Sequence, residues 1–193
     1  QNPTVNVTTL SSYTTANIEA VLNRELDAAF INLPVESADE RLVITMVDSE
    51  PIIAALNPEH PLAQKEEVTC QDLRQLPLVF WPRQDAPGNW LNTLTSIYGP
   101  DIPEIARFEP DDLLLLEAVA EGSGYVPVPQ SFATWMRRDD VAFRSISDPV
   151  PVTPLGVCWL AENTNPAFSC FRREVAAFDL SWQSEVEMGL AVY

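Results

Sequence analysis

Between Val5 and Phe178 short β-prone runs alternate with stretches of helical spacing, and that alternation confines the chain to an α/β architecture. Strands are predicted over residues 5–9, 26–31, 42–47, 51–56, 78–81, 125–128, 143–146 and 155–160. Helices are predicted over 16–24, where Ile18, Val21 and Leu22 share one face, and over 70–75 behind a Thr69 cap. Further helices are predicted over 90–98, over 113–121 between an Asp111 cap and a Gly122 stop, over 131–136 and over 166–178. Thr14 or Thr15 is the candidate N-cap of the first helix, and residues 181–193 carry no clear assignment. Strands separated by helices of this length form a largely parallel sheet, which binds ligands at the carboxyl ends of its strands. The tips so singled out are 10–14, 32–35, the Pro- and Gly-bearing loop 82–89, and 122–129.

Charge and chemistry narrow the function. Asp and Glu number 28 against 11 Lys and Arg, a formal net charge of −17. Such a surface repels a phosphate backbone and anionic lipid, because both are bound by basic groups that displace counterions. A local basic pocket remains compatible with it, since overall charge governs long-range fields rather than one desolvated site. No apolar run approaches the ~18 residues of a membrane span, and Gln1 to Val5 lacks the basic and apolar regions of a leader. Cys70, Cys158 and Cys170 show no CxxC spacing and suit a reducing compartment, where a buried thiol is a small hydrophobe. His60 is the only histidine and lies in a turn, so a His-based zinc site or a Ser-His-Asp triad lacks parts. No catalytic residue, metal or cofactor is predicted.

Four patterns, in order, carry a family resemblance. The first is the helix-to-strand stretch 18–30, ending Glu25-Leu26-Asp27-Ala28-Ala29-Phe30. The second is Glu50-Pro51 with its apolar continuation to Leu56, followed by His60-Pro61-Leu62-Ala63 and by Val68 to Leu73. The third is Pro82-Arg83 with Ala86-Pro87-Gly88, and the fourth is Val119-Ala120-Glu121-Gly122-Ser123-Gly124 leading to Val126-Pro127. Together, over about residues 1–178, they resemble the C-terminal effector-binding domain of LysR-type bacterial transcription regulators. Two departures stand out: the family's DNA-binding winged helix-turn-helix has no counterpart here, nor do the first strand and first helix of its effector domain.

The resemblance implies a two-lobed, periplasmic-binding-protein-like α/β domain with two crossing strands, near 50–53 and 152–156. Lobe I is then 1–51 plus 155–193, and lobe II is 52–154. It implies a cytoplasmic sensing domain, not an enzyme, that binds a small effector between the lobes, with members that sense aromatic or dicarboxylic acids as the nearest guide. A periplasmic-type solute-binding protein for a small acid is the alternative. Self-association as a dimer or tetramer is implied, with DNA reached only through the family's N-terminal domain and no membrane partner. The effector-binding residues carried over are Ser11, Ser12, Tyr13 and Thr14 at a helix N-terminus, Asn32 at a strand tip, and Pro82, Arg83, Gln84, Pro87, Gly88 and Asn89 from lobe II. Unpaired first-turn amides favour an anion, and a guanidinium binds a carboxylate through two parallel bonds. Thr14 as a plain cap, Arg83 as a surface residue paired with Asp85, and Trp81 and Trp90 as packing residues are the competing readings.

Overall fold

The computed structural model describes residues 5–177. The end of the last expected helix at Phe178 and the unassigned stretch 181–193 lie outside the described residues. Residues 5–13 run without regular structure into helix α1 (Thr14–Leu22), strand β1 (Ala29–Asn32) and the long strand β2 (Leu42–Leu56). A 3-10 turn (Pro61–Gln64) leads to β3 (Glu67–Thr69), α2 (Cys70–Leu73) and β4 (Leu78–Phe80). A second 3-10 turn (Arg83–Asp85) precedes α3 (Pro87–Tyr98), β5 (Ile105–Phe108), α4 (Asp112–Ala120) and β6 (Val126–Pro129). The order closes with α5 (Phe132–Trp135), β7 (Ala142–Ser147), β8 (Val152–Leu160) and α6 (Phe168–Ala177).

Two local signals act as the sequence dictates. Thr69 Oγ1 accepts the Asp72 N–H at 3.1 Å while Asp72 Oδ2 accepts the Thr69 N–H at 3.0 Å, a reciprocal capping box. Asp111 caps α4 through Leu113 N–H at 2.8 Å, and Gly122 supplies the positive φ of 81° that stops it.

The fold is two-lobed, and β2 joins the lobes. Its first part, Leu42 to Pro51, pairs antiparallel with β8, with a bulge between Met46 and Asp48. Its last part, Ile52 to Leu56, pairs antiparallel with β6 and β7 instead. In the first lobe β8 lies between β1 and β2. Successive β8 residues face opposite sides, and both sides are buried. Cys158 and Leu160 meet Val21, Ile18 and Leu22 of α1, whereas Val157 and Trp159 meet Phe168, Phe171 and Val175 of α6. The second lobe has its own apolar core, drawn wholly from residues 52–146 around Ala54, Val68, Leu94, Leu116 and Tyr125. A chain with separate cores joined by two long strands has the anatomy of lobes that can reorient.

Four expectations are corrected. The sheet is not largely parallel: among the strand ladders only β3–β7 and β4–β5 are parallel, because the crossing strands β2 and β8 run antiparallel and recruit the rest. Residues 42–47 and 51–56 are one strand, since the bulge absorbs the break in alternation. Residues 5–9 form no strand despite their β-prone composition; Val7 is 79% exposed, and no neighbouring strand pairs with the segment. Finally, α1 begins at Thr14 with Tyr13 as its N-cap, and α3 begins at Pro87, so neither Thr14 nor Thr15 is a cap and Pro87, Gly88 and Asn89 belong to a helix rather than a loop.

Candidate functional site

A cavity of about 450 Å³ lies between the lobes, a volume in the range of small-molecule sites. One wall is the face of α1 that carries Thr14, Thr15, Ile18, Glu19 and Leu22. A second is the segment after β1, from Pro34 to Asp39, and the third is Ala86, Pro87 and Gly88 at the start of α3. Two helix N-termini, one from each lobe, thus reach the same cavity. Neither carries a side-chain cap: Tyr13 stands at the N-cap of α1 and Ala86 at that of α3. Unpaired first-turn amides and the helix dipole make such ends attractive to negative charge.

The lobes are tied across this cavity by specific bonds. Thr15 Oγ1 donates to the Gln84 carbonyl at 2.7 Å, and the Tyr13 hydroxyl donates to the Pro110 carbonyl. Asn89 Nδ2 donates both to the Leu33 carbonyl and to Thr153 Oγ1, each at 2.9 Å, linking α3 to lobe I and to the crossing strand β8. The guanidinium of Arg83 meets Glu36 at 3.1 Å and lies 5.6 Å from the Trp90 ring centre. Gly88 packs so closely on the segment after β1 that an added Cβ would sit 2.2 Å from the Pro34 carbonyl oxygen.

The charge of the walls is one-sided. Glu19, Glu36 and Asp39 line the cavity and no Lys or Arg does. Asp39 is neutralised from outside by Arg41 at 2.7 Å, whose hydrogen bonds hold the Asp39 carboxyl at about 2. Glu36 is held by Arg83, which leaves Glu19 as the wall carboxylate without an ion pair among the described residues. Near Pro110, burial together with Asp112, Asp111 and Asp85 pushes the Tyr13 hydroxyl above its ordinary value, so it remains a donor.

The predicted site residues divide on this geometry. Thr14, Pro87 and Gly88 line the cavity, and Tyr13, Arg83, Gln84 and Asn89 surround it through the cross-lobe bonds. Pro82 is the N-cap of the 3-10 turn that carries Arg83, and Ser11 and Ser12 are exposed and outside the wall. Asn32 meets Thr14 rather than the cavity: its N–H donates to Thr14 Oγ1 at 3.0 Å. Arg83 pairs with Glu36 and not with Asp85. The strand tip 32–35 singled out in the sequence supplies Pro34 and Val35 to the wall, whereas sequence reasoning missed Glu19 and the segment 36–39. Ile18 and Leu22 were visible as an apolar helix face, but a face turned to a cavity has the same spacing as one turned to a core.

Among the described residues no group of three His, Cys, Asp or Glu side chains is placed to hold a metal ion, and no helix is long and apolar enough to cross a membrane.

The family model described as the LysR substrate binding domain matches residues 1–179. The HTH-type transcriptional regulator BudR of Raoultella terrigena is 27% identical over 144 residues, 74% of this chain and 49% of BudR. The chain therefore spans about half the length of the curated relatives it matches. Among solved structures, the BenM effector binding domain with its effector benzoate superposes with a TM-score of 0.69 at 21% identity, covering 94% of this chain and 79% of that one. Full-length CbnR in complex with its target DNA gives 0.73 at 22% identity, covering 86% and 57%.

Proposed function

We propose, from the premise that this chain belongs to the LysR substrate-binding-domain family, that it is the ligand-sensing part of a LysR-type transcription regulator and takes a small carboxylate-bearing effector between its lobes. The observation that carries the carboxylate is the meeting of two uncapped helix N-termini, α1 and α3, at one cavity, with Arg83 beside it. A carboxylate there accepts backbone N–H bonds from either lobe and a charge-assisted bond from Arg83, each such bond worth about 1.5–3 kcal/mol. Recognition of benzoate by BenM, a structural neighbour, is a chemical precedent. A binding role in place of a catalytic one accords with relatives named as transcriptional regulators.

The mechanism is a population shift. An effector that touches both lobes favours the lobe orientation in which its contacts are complete, and only that difference in affinity does work. A bias of about 1–3 kcal/mol suffices to alter a regulatory equilibrium. DNA contact falls to another part of the regulator, as a net charge of −17 repels phosphate. Self-association, as a dimer or tetramer, transmits the lobe shift to that part, and a protein working on DNA in this way acts in the cytoplasm.

Titration calorimetry with benzoate, succinate and the neutral analogue benzamide tests the reading. Binding of a carboxylate but not of benzamide, weakened at least tenfold in Arg83→Ala, is expected. Absence of carboxylate binding, or equal binding by wild type and Arg83→Ala, overturns it.

A further inference from the structure

The segment 33–36 lies along the start of α3 as a ligand would. Asn89 donates to the Leu33 carbonyl at 2.9 Å, the Pro34 carbonyl fits against Gly88, which has no side chain, and Glu36 presents a carboxylate to Arg83 at 3.1 Å. Three successive features of lobe II are thereby met by one short stretch of lobe I. Among the described residues, Glu36 is the salt-bridge partner of Arg83. The pair is open to water, with the two side chains 54% and 61% exposed, so it exchanges readily and is not locked in a core.

We propose that Glu36 is a resident competitor: its carboxylate holds Arg83 when the cavity is empty, and an effector carboxylate binds by displacing it. This rests on the reading that the effector is a carboxylate. Glu36 then acts as a specificity-determining residue. A neutral molecule of the same shape leaves the Glu36–Arg83 pair in place, so it gains nothing from the Arg83 guanidinium. An acid exchanges one carboxylate for another and frees the segment 33–36 from α3 at the same time. The apparent affinity for the acid is the intrinsic one reduced by the fraction of molecules in which Arg83 is unpaired.

The test compares Glu36→Gln, Glu162→Gln, Arg83→Ala and the double variant Glu36→Gln/Arg83→Ala by calorimetry with benzoate, succinate and benzamide. Glu162 lies beyond the far end of β8, away from the crossing, and controls for the loss of one negative charge. Glu36→Gln is expected to bind the acids about two- to fivefold more tightly than Glu162→Gln, the range an exposed ion pair supports. Benzamide should remain unbound by every variant, and the gain for the acids should vanish in the double variant. Unchanged or weaker acid binding in Glu36→Gln, with Arg83→Ala still defective, overturns the competition and leaves the carboxylate reading standing. No acid binding in any variant overturns both.

Discussion

The indole N–H of Trp81 donates to Asp112 Oδ1 at 2.9 Å and so fastens the end of β4 to the first turn of α4. Trp81 is one link in a series of edge-on aromatic contacts that runs from Trp90 through Phe80 to Phe132, which meets Trp135 at a tilt. Asp112 is half-buried, and its carboxyl lies above its ordinary value. Burial is the main cause, Asp111 adds to the rise, and the Trp81 bond opposes it.

A carboxyl raised in the folded state binds its proton more tightly there than in the unfolded chain. Its contribution to stability therefore grows as pH falls through the folded value towards the unfolded one of about 3.8, and is lost as pH rises. Asp112→Asn keeps a carbonyl acceptor for Trp81 and removes the charge. The variant should be the more stable protein at neutral pH, with a margin over wild type that shrinks as pH falls towards ~4. Paired thermal melts across that interval check it, and a margin that does not vary with pH refutes it.

In the core of the second lobe the hydroxyls of Tyr98 and Tyr125 meet at 2.6 Å, and Tyr125 is fully buried. Removing one hydroxyl strands the other in apolar surroundings, at a cost of about 1–3 kcal/mol. Tyr125→Phe should lose stability in that range, while Tyr98→Phe/Tyr125→Phe should lose less than the sum of the single losses. Urea denaturation of the four proteins closes the cycle; strict additivity would mean that the pair is not coupled.

What the sequence disclosed follows the range of the forces involved. The Asp111 and Thr69 caps and the Gly122 stop were legible because capping is settled within four residues. The two-lobed fold was legible through the resemblance, whose motifs span most of the chain. Residues 5–9 misled because β-prone composition states a preference without naming a partner. The cavity wall at 36–39 was illegible for a different reason. Its polar residues look like any connecting loop, and only the folded chain brings Glu36 to Arg83, 47 residues away.

Thr14 illustrates the same limit at one atom. Its position at a helix start suggested either a cap or an anion ligand, yet its buried hydroxyl oxygen accepts the Asn32 N–H at the exposed edge of β1. Thr14→Val, nearly identical in shape, should leave that amide unpaired and cost about 1–3 kcal/mol, whereas Thr14→Ser should cost much less. Chemical denaturation distinguishes them, and equal losses would show that the methyl group rather than the oxygen matters.

Gly88 and Gly124 allow a final test of whether the wall at 34–39 is part of the site. A Cβ on Gly88 would stand 2.2 Å from the Pro34 carbonyl oxygen and 2.8 Å from the Glu36 nitrogen, both backbone atoms that cannot swing aside. A Cβ on Gly124 would meet the Pro77 carbonyl oxygen at 2.3 Å, with an unfavourable φ of 156°, but inside the second lobe. Either alanine variant should be destabilised by about 1–3 kcal/mol, the usual cost of forcing extra volume into a packed contact. Only Gly88→Ala moves the wall that carries Glu36, so it alone should shift benzoate affinity by more than about twofold, with Gly124→Ala staying within that range of wild type at a temperature where both remain folded. Should the two variants bind equally well, the contact between Pro34 and Gly88 would hold the lobes together without shaping the ligand's space.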